Sequence, residues 1–153
     1  MLDVSDTAPE FTLPRDGGTD VTLSDLKGAA VVLFFYPRDD TSGCTKESIG
    51  FSEAQQEFEA AGAKIFGVSK DSVASHEKFV AKRELTVPLL SDEHGTTCED
   101  YGVWKEKSMY GKKFMGIERS TFLIDADGKI AQVWRKVKVP GHVEAVLDAV
   151  KAL

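Results

Sequence analysis

The sequence predicts a layered α/β domain, and three features carry that prediction. Val31-Val32-Leu33-Phe34-Phe35-Tyr36 is a short β-branched and aromatic run, as expected of a strand buried on both faces. Lys64-Ile65-Phe66-Gly67-Val68-Ser69 reads as a second buried strand, and apolar residues at helical spacing follow each of the two. Thr121 to Ile124 and Ile130 to Trp134 then flank Asp125-Ala126-Asp127-Gly128, a hairpin turn signal. Strands alternating with helices, then a hairpin and a last helix, give a mixed sheet flanked by helices. This pattern alone fits more than one small α/β fold.

Thr7 to Leu13 reads as an extended segment with Pro9 at its edge, and Arg15 to Asp20 as a turn. Val21-Thr22-Leu23 is a brief strand, and Ser24 is expected to cap one helical turn ending before Gly28. After the central strand, Pro37 stops the ladder because it has no N–H to donate. Thr41, Ser42 and Gly43 are helix-start residues, and Phe51, Ala54, Phe58 and Ala61 continue at helical spacing to an end near Gly62. Asp71 or Ser72 caps the next helix, with Val73, His76, Phe79 and Val80 on one face. Val87-Pro88-Leu89-Leu90 is a short strand. Thr96 to Tyr101 is a short helix in which Thr96 and Glu99 have capping-box spacing and Gly102 suits the end. Lys105 to Gly116, rich in Lys and Gly, is expected as an exposed loop. Val143, Val146, Leu147 and Val150 mark the final helix.

The 153 residues suggest a single domain, 1–153, with length for one core. A net charge of −6 argues against nucleic acid or an anionic membrane as the main partner. The longest apolar run falls well short of the ~20 residues of a spanning helix. Met1-Leu2-Asp3-Val4 has no basic leader region, so the expected location is the cytoplasm. Two cysteines in such a chain point to a catalytic or free thiol rather than a disulfide framework.

Cys44 falls in the first turn of the helix that leaves the central strand. Unpaired N–H groups and the helix dipole make that end partly positive, which stabilises a thiolate, the nucleophilic form. A reachable sulfur is expected there. Thr41, three residues earlier, is placed either as a plain N-cap or with its hydroxyl toward the sulfur or an incoming oxygen. Glu47, three residues later, lies on nearly the same helical face. Asp39 and Asp40 would disfavour a thiolate if close, so they are expected to point outward. Tyr36 suits either a pocket wall or a core position. His76, His94 and His142 are scattered and form no recognised metal spacing. His76, on an apolar face, reads as a hydrogen-bonded packing residue. Lys105, Lys107, Lys112 and Lys113 read as a solvated cluster.

Pro37, Thr41 and Cys44 match the P-x-x-x-(T/S)-x-x-C signature of peroxiredoxins, and the sequence resembles the bacterioferritin-comigratory-protein (BCP/PrxQ) subfamily. The resemblance runs through Ala8-Pro9-Glu10-Phe11-Thr12-Leu13, Phe34 to Glu47, Leu89-Leu90-Ser91-Asp92 and Gly116 to Asp125, in that order. It implies a thioredoxin-like fold with an N-terminal extension, and a peroxidase that attacks hydrogen peroxide or organic hydroperoxides through a cysteine sulfenic acid. It further implies that Arg119 reaches Cys44 and helps polarise the peroxide. From its spacing, Glu47 is placed either to orient Arg119 through a charged hydrogen bond or as a solvated helix carboxylate, and Pro37 is placed to shield the site. A thiol reductant such as thioredoxin, glutaredoxin or glutathione is the implied partner, no cofactor or metal is required, and a monomer is the subfamily's default, with a weak dimer as the alternative. The chain departs from much of the subfamily in its resolving cysteine. Many members carry one five residues after the first, where this sequence has Ile49, and others in the next helix, where His76 to Ala81 has none. That favours a one-cysteine cycle. Cys98, in a first helical turn, is either a spectator or a resolver brought in by loop movement. The rival functions are a redox sensor or holdase, and a thiol–disulfide oxidoreductase; the latter needs C-x-x-C, and position 47 is Glu47.

Overall fold

The computed structural model describes residues 2–153, and Met1 lies outside them. Strand β1 (Thr12–Pro14) pairs antiparallel with β2 (Asp20–Thr22), and a 3-10 turn follows over Leu23–Leu26. Then come β3 (Ala30–Phe35), α1 (Ser42–Ala60), β4 (Ala63–Ser69), α2 (Val73–Arg83), β5 (Leu89–Ser91) and the short α3 (Thr97–Asp100). A hairpin of β6 (Trp104–Met109) and β7 (Lys112–Ile117) precedes β8 (Ser120–Ile124), β9 (Ile130–Trp134) and α4 (His142–Lys151). The main sheet runs β5-β4-β3-β8-β9; β4 is parallel to β3 and β5, whereas β8 is antiparallel to β3 and β9. This is a thioredoxin-like α/β fold with an N-terminal extension.

All six residues of β3 are buried, which is why its sequence shows no polar alternation. Its side chains alternate between two layers. Val32 and Phe34 pack with Phe51 and Phe58 of α1, Phe79 of α2 and Val143, Val146, Leu147 and Val150 of α4. Val31, Leu33 and Phe35 face the other way, onto Phe11, Leu13, Leu23, Tyr101, Val103 and Ile117. The second layer is therefore built largely by the N-terminal extension and the segment after α3. Phe34 stacks on Phe51 at 4.6 Å, and burying a side chain of that size contributes about 1.5–3 kcal/mol. Gly67 of β4 is a packing requirement: a Cβ there would come within 2.7 Å of Phe34 Cζ and 2.8 Å of Leu89 Cδ2. No helix among the described residues is long and apolar enough to cross a membrane.

Three local expectations are corrected. Lys105 to Gly116 is a regular hairpin rather than a loop, closed at Tyr110-Gly111, both with positive φ (53° and 76°). The turn geometry suits a hairpin, but a Tyr in it disguises the usual Asn-Gly or Asp-Gly signal. Ser24 caps nothing; Thr22 is the cap residue of the 3-10 turn, and the Ser24 N–H donates to Glu10 Oε1 at 2.9 Å. Thr96 and Glu99 form no capping box. The buried Asp92 carboxylate accepts from the N–H groups of Thr97 (3.1 Å) and Cys98 (2.8 Å), while Glu99 pairs with Lys70 at 2.7 Å. On α2 the cap is Ser72, whose hydroxyl accepts from the Ser75 N–H.

Candidate active site

The site lies at the C-terminal end of β3. The chain leaves the strand through Pro37 and enters α1 at Ser42, so Cys44 sits in the first turn. Because β8 runs antiparallel to β3 with Phe35 opposite Ser120, Arg119 arrives at the same end of the sheet. Arg119 Nη2 donates to Cys44 Sγ at 3.3 Å, and Nη1 donates to Glu47 Oε1 at 2.7 Å. One planar guanidinium thus spans both groups, a reach a single ammonium lacks. Gly43 leaves room for it: a Cβ at that position would lie 3.1 Å from Arg119 Nη2.

Glu47 is fully buried. Burial raises its pKa to about 7, against the lowering influence of Arg119. Burial also works against the guanidinium charge, but Glu47 and Cys44 outweigh it and hold Arg119 above its ordinary value, so the arginine stays a cation. The second carboxylate oxygen of Glu47 has no hydrogen-bond partner and stands 4.0 Å from His142 Nε2. His142 is lowered to about 4 by burial and by Arg119, and its Nε2 lies 2.8 Å from Thr121 Oγ1. The helix start gave no sign in sequence that His142, nearly a hundred residues on, would face it. Lys107 departs from the solvated cluster its sequence neighbours suggest. It is half-buried, its stem lies against Gly116, and its pKa is lowered by burial and by the charge of Arg119.

Two expectations at Cys44 change. The sulfur is not open: Cys44 is fully buried, packed in the layer that holds Tyr36 and Phe51 and facing Arg119. Thr41 is the N-cap residue by position, yet its hydroxyl donates to Arg38 O at 3.0 Å and caps nothing. No side chain caps α1, which leaves its first-turn N–H groups available to a ligand. Pro37 is half-buried between strand and loop.

Asp39 is the third correction. It was expected to face solvent but is buried, with Tyr36 Oη donating to its Oδ1 at 2.6 Å and Ser75 Oγ to its Oδ2 at 2.8 Å. His76 Nδ1 lies 2.7 Å from the same Oδ2. A carboxylate with three such partners is stable inside the protein, which overrides its charge. Asp40 is exposed as expected, and pairs with Lys82 and Arg83. Tyr36 is a core residue, and His76 is the fully buried packing histidine anticipated. Asp39, Asp71 and His76 place oxygen and nitrogen atoms within 4.8 Å of one another. Those atoms are taken up by hydrogen bonds: Asp71 Oδ2 accepts from Asp39 N and Ser69 Oγ.

Cys98 lies elsewhere. Cys44 packs with Val32 and Phe34 on one face of β3, whereas Cys98 packs with Leu33 and Phe35 on the other. Burial and the Asp92 carboxylate push its thiol pKa well up.

A cysteine held under a fixed guanidinium at the head of a helix, on a thioredoxin-like sheet, defines a thiol redox protein. The AhpC/TSA family model matches residues 4–133. The chain is 52% identical over 146 residues to a putative peroxiredoxin bcp of Coxiella burnetii, covering 95% of this chain and 97% of that protein. Against Peroxiredoxin Bcp of Bacillus subtilis it is 45% identical over 150 residues, with 98% and 96% covered. Among solved structures, a PrxQ mutant from Xylella fastidiosa superposes with a TM-score of 0.94 at 44% identity, covering 99% of this chain and 97% of that one. A bacterioferritin comigratory protein of Xanthomonas campestris, studied for alkyl peroxide reduction, superposes with a TM-score of 0.88 at 51% identity, over 93% and 90%. The chain belongs to the AhpC/TSA family and, within it, to the BCP/PrxQ peroxiredoxins. It is a thiol-dependent peroxidase, taking a peroxide as oxidant and a thiol as reductant.

Proposed function

We propose that Cys44 is the attacking thiolate and that the enzyme runs a one-cysteine cycle. The observation that carries this reading is the Arg119 Nη2 contact with Cys44 Sγ at 3.3 Å, fixed from behind by buried Glu47. Sulfur attacks the near oxygen of hydrogen peroxide or an alkyl hydroperoxide as the O–O bond breaks. The S–O bond forms, the far oxygen leaves as hydroxide or alkoxide, and a proton makes it water or an alcohol. Arg119 donors and the uncapped N–H groups of α1 stabilise the charge that develops on the oxygens. Glu47 is a positioning residue for Arg119. Pro37 and Thr41 shape the entry loop, with Thr41 Oγ1 free to exchange its bond to Arg38 O for one to the substrate.

Cys44 sulfenic acid is reversible by thiols. A first external thiol condenses with it, releasing water and leaving a mixed disulfide; a second releases Cys44 and carries away the disulfide. Thioredoxin, glutaredoxin and glutathione each supply that chemistry. The placement of Cys98 across the sheet supports an external second thiol, because a disulfide needs Cα atoms within about 7 Å and side chains that converge. A cytoplasmic monomer fits this cycle. The test is peroxide consumption by Cys44→Ser in the presence of thiol. The reading requires its loss, and retained turnover would refute it.

A further inference from the structure

The segment between Pro37 and Cys44 is held from outside the site by a polar group that the reaction itself does not use. His76 on α2 is fully buried, and both its ring nitrogens face acceptors: Nδ1 lies 2.7 Å from Asp39 Oδ2, and Nε2 lies 2.9 Å from Leu90 O on β5. The Leu90 carbonyl cannot donate, and Asp39 Oδ2 already accepts from Ser75 Oγ. With Asp39 as a carboxylate, both nitrogens carry hydrogens for the two bonds to coexist, which makes the ring an imidazolium. Asp39 connects that cation to the entry loop. Its carboxylate also takes Tyr36 Oη and Ser75 Oγ, and its N–H donates to Asp71 Oδ2 at 2.8 Å. The next residue, Asp40, turns the chain with a positive φ of 61° and binds Lys82 Nζ at 2.6 Å and Arg83 at 2.9 Å, near the end of the same helix. Two adjacent aspartates thus fasten the loop to the two ends of α2.

We propose that the His76–Asp39 ion pair is a latch that positions the Pro37–Cys44 segment for peroxide attack, and that loss of the His76 proton releases the segment. The charged and titratable groups around the ring are Asp39 after β3, Asp71 before α2 and Tyr36 at the end of β3; Arg38, Asp40, Lys78 and Lys82 form the outer rim. Burial disfavours the ring's charge, but Asp39, the Leu90 carbonyl and Asp71 outweigh it and raise its pKa. Once the ring is neutral, either Leu90 O or Asp39 loses its donor, a cost that falls on the loop. In the latched state Cys44 is fully buried, so release of the segment would also give a second thiol access to its sulfur. The inference rests on Cys44 as the attacking residue.

The experiment compares wild type with His76→Gln. In wild type, nitrogen-edited NMR of the histidine rings at pH 7 should show His76 with both nitrogens protonated. Amide exchange at Asp39 should be on the order of tenfold faster in the variant, and oxidation of Cys44 by hydrogen peroxide slower by a similar factor. Reduction of its sulfenic acid by glutathione should be faster, a split that general destabilisation would not produce. The wild-type to variant rate ratio should fall toward one as pH rises through the His76 titration. Ser75→Ala, which keeps the ion pair, should stay near wild type. A neutral His76 ring at pH 7, or a ratio of one at every pH, would overturn the proposal. If His76→Gln does not fold, Asp39→Asn carries the same comparison with the same two outcomes. Failure of the Cys44 reading shows separately, as peroxide turnover by Cys44→Ser, and leaves the exchange result untouched.

Discussion

Arg119 Nη2 donates to Cys44 Sγ at 3.3 Å, across 75 residues of sequence, because β8 returns antiparallel beside β3. In the proposed reaction the contact places a positive charge and a directed donor where the peroxide O–O bond breaks. Replacing Arg119 by Ala should slow Cys44 oxidation by about 10²–10³-fold, the range for loss of a preorganised donor. Arg119→Lys should recover only part of this, because one ammonium cannot hold Glu47 and Cys44 together. Stopped-flow peroxide kinetics on both variants measure the difference.

Glu47 gives the site a pH dependence with a definite sign. Its pKa of about 7 means that the carboxylate anchoring Arg119 is fully ionised only above neutrality. The rate of peroxide attack should gain a limb near pH 7 that Glu47→Gln lacks. Stability runs the other way. The folded pKa lies above the ordinary 4.5, so the folded state holds this proton more tightly. The contribution is fully present below pH 4.5 and is lost as pH rises through about 7, a change on the order of 3 kcal/mol. Urea unfolding of wild type and Glu47→Gln across pH 4.5–8 reads it directly.

Gly43→Ala separates helix stability from catalysis. Alanine favours a helix over glycine by up to about 1 kcal/mol. The same methyl would stand 3.1 Å from Arg119 Nη2 and displace it. The variant should melt no lower than wild type, yet react with peroxide more slowly. A rate equal to wild type would mean that Arg119 accommodates the methyl without cost to the reaction.

Gly67→Ala tests the packing behind the site. Its methyl would overlap Phe34 and Leu89, which sit in the layer that carries Cys44. Overpacking of this kind costs about 1–3 kcal/mol. The expected result is a lowered unfolding midpoint with peroxide kinetics little changed below it.

The sheet, its helices and the position of Cys44 were legible because each rests on local pattern: an unbroken apolar strand, a proline stop, then helical spacing. Arg119 is suggested by the resemblance and Glu47 by its spacing from Cys44; the guanidinium contacts both Cys44 Sγ and Glu47 Oε1. Long-range polar pairing was not legible. Asp39 reads as a surface carboxylate until Tyr36 from the end of β3 and Ser75 and His76 from α2 converge on it. Asp92 has no local pattern that marks it as a cap, yet it caps α3 and raises the Cys98 pKa. The β6–β7 hairpin was hidden by its Tyr110-Gly111 turn and by Lys on exposed strand positions.

Cys44 as the attacking residue of a one-cysteine cycle is tested most directly by intact mass. One equivalent of peroxide is added to wild type and to Cys98→Ser, with a sulfenic-acid trap present. The account predicts a trap adduct on Cys44 in both proteins. Loss of two hydrogens without adduct in wild type, with adduct only in Cys98→Ser, would make Cys98 the resolving residue and contradict it.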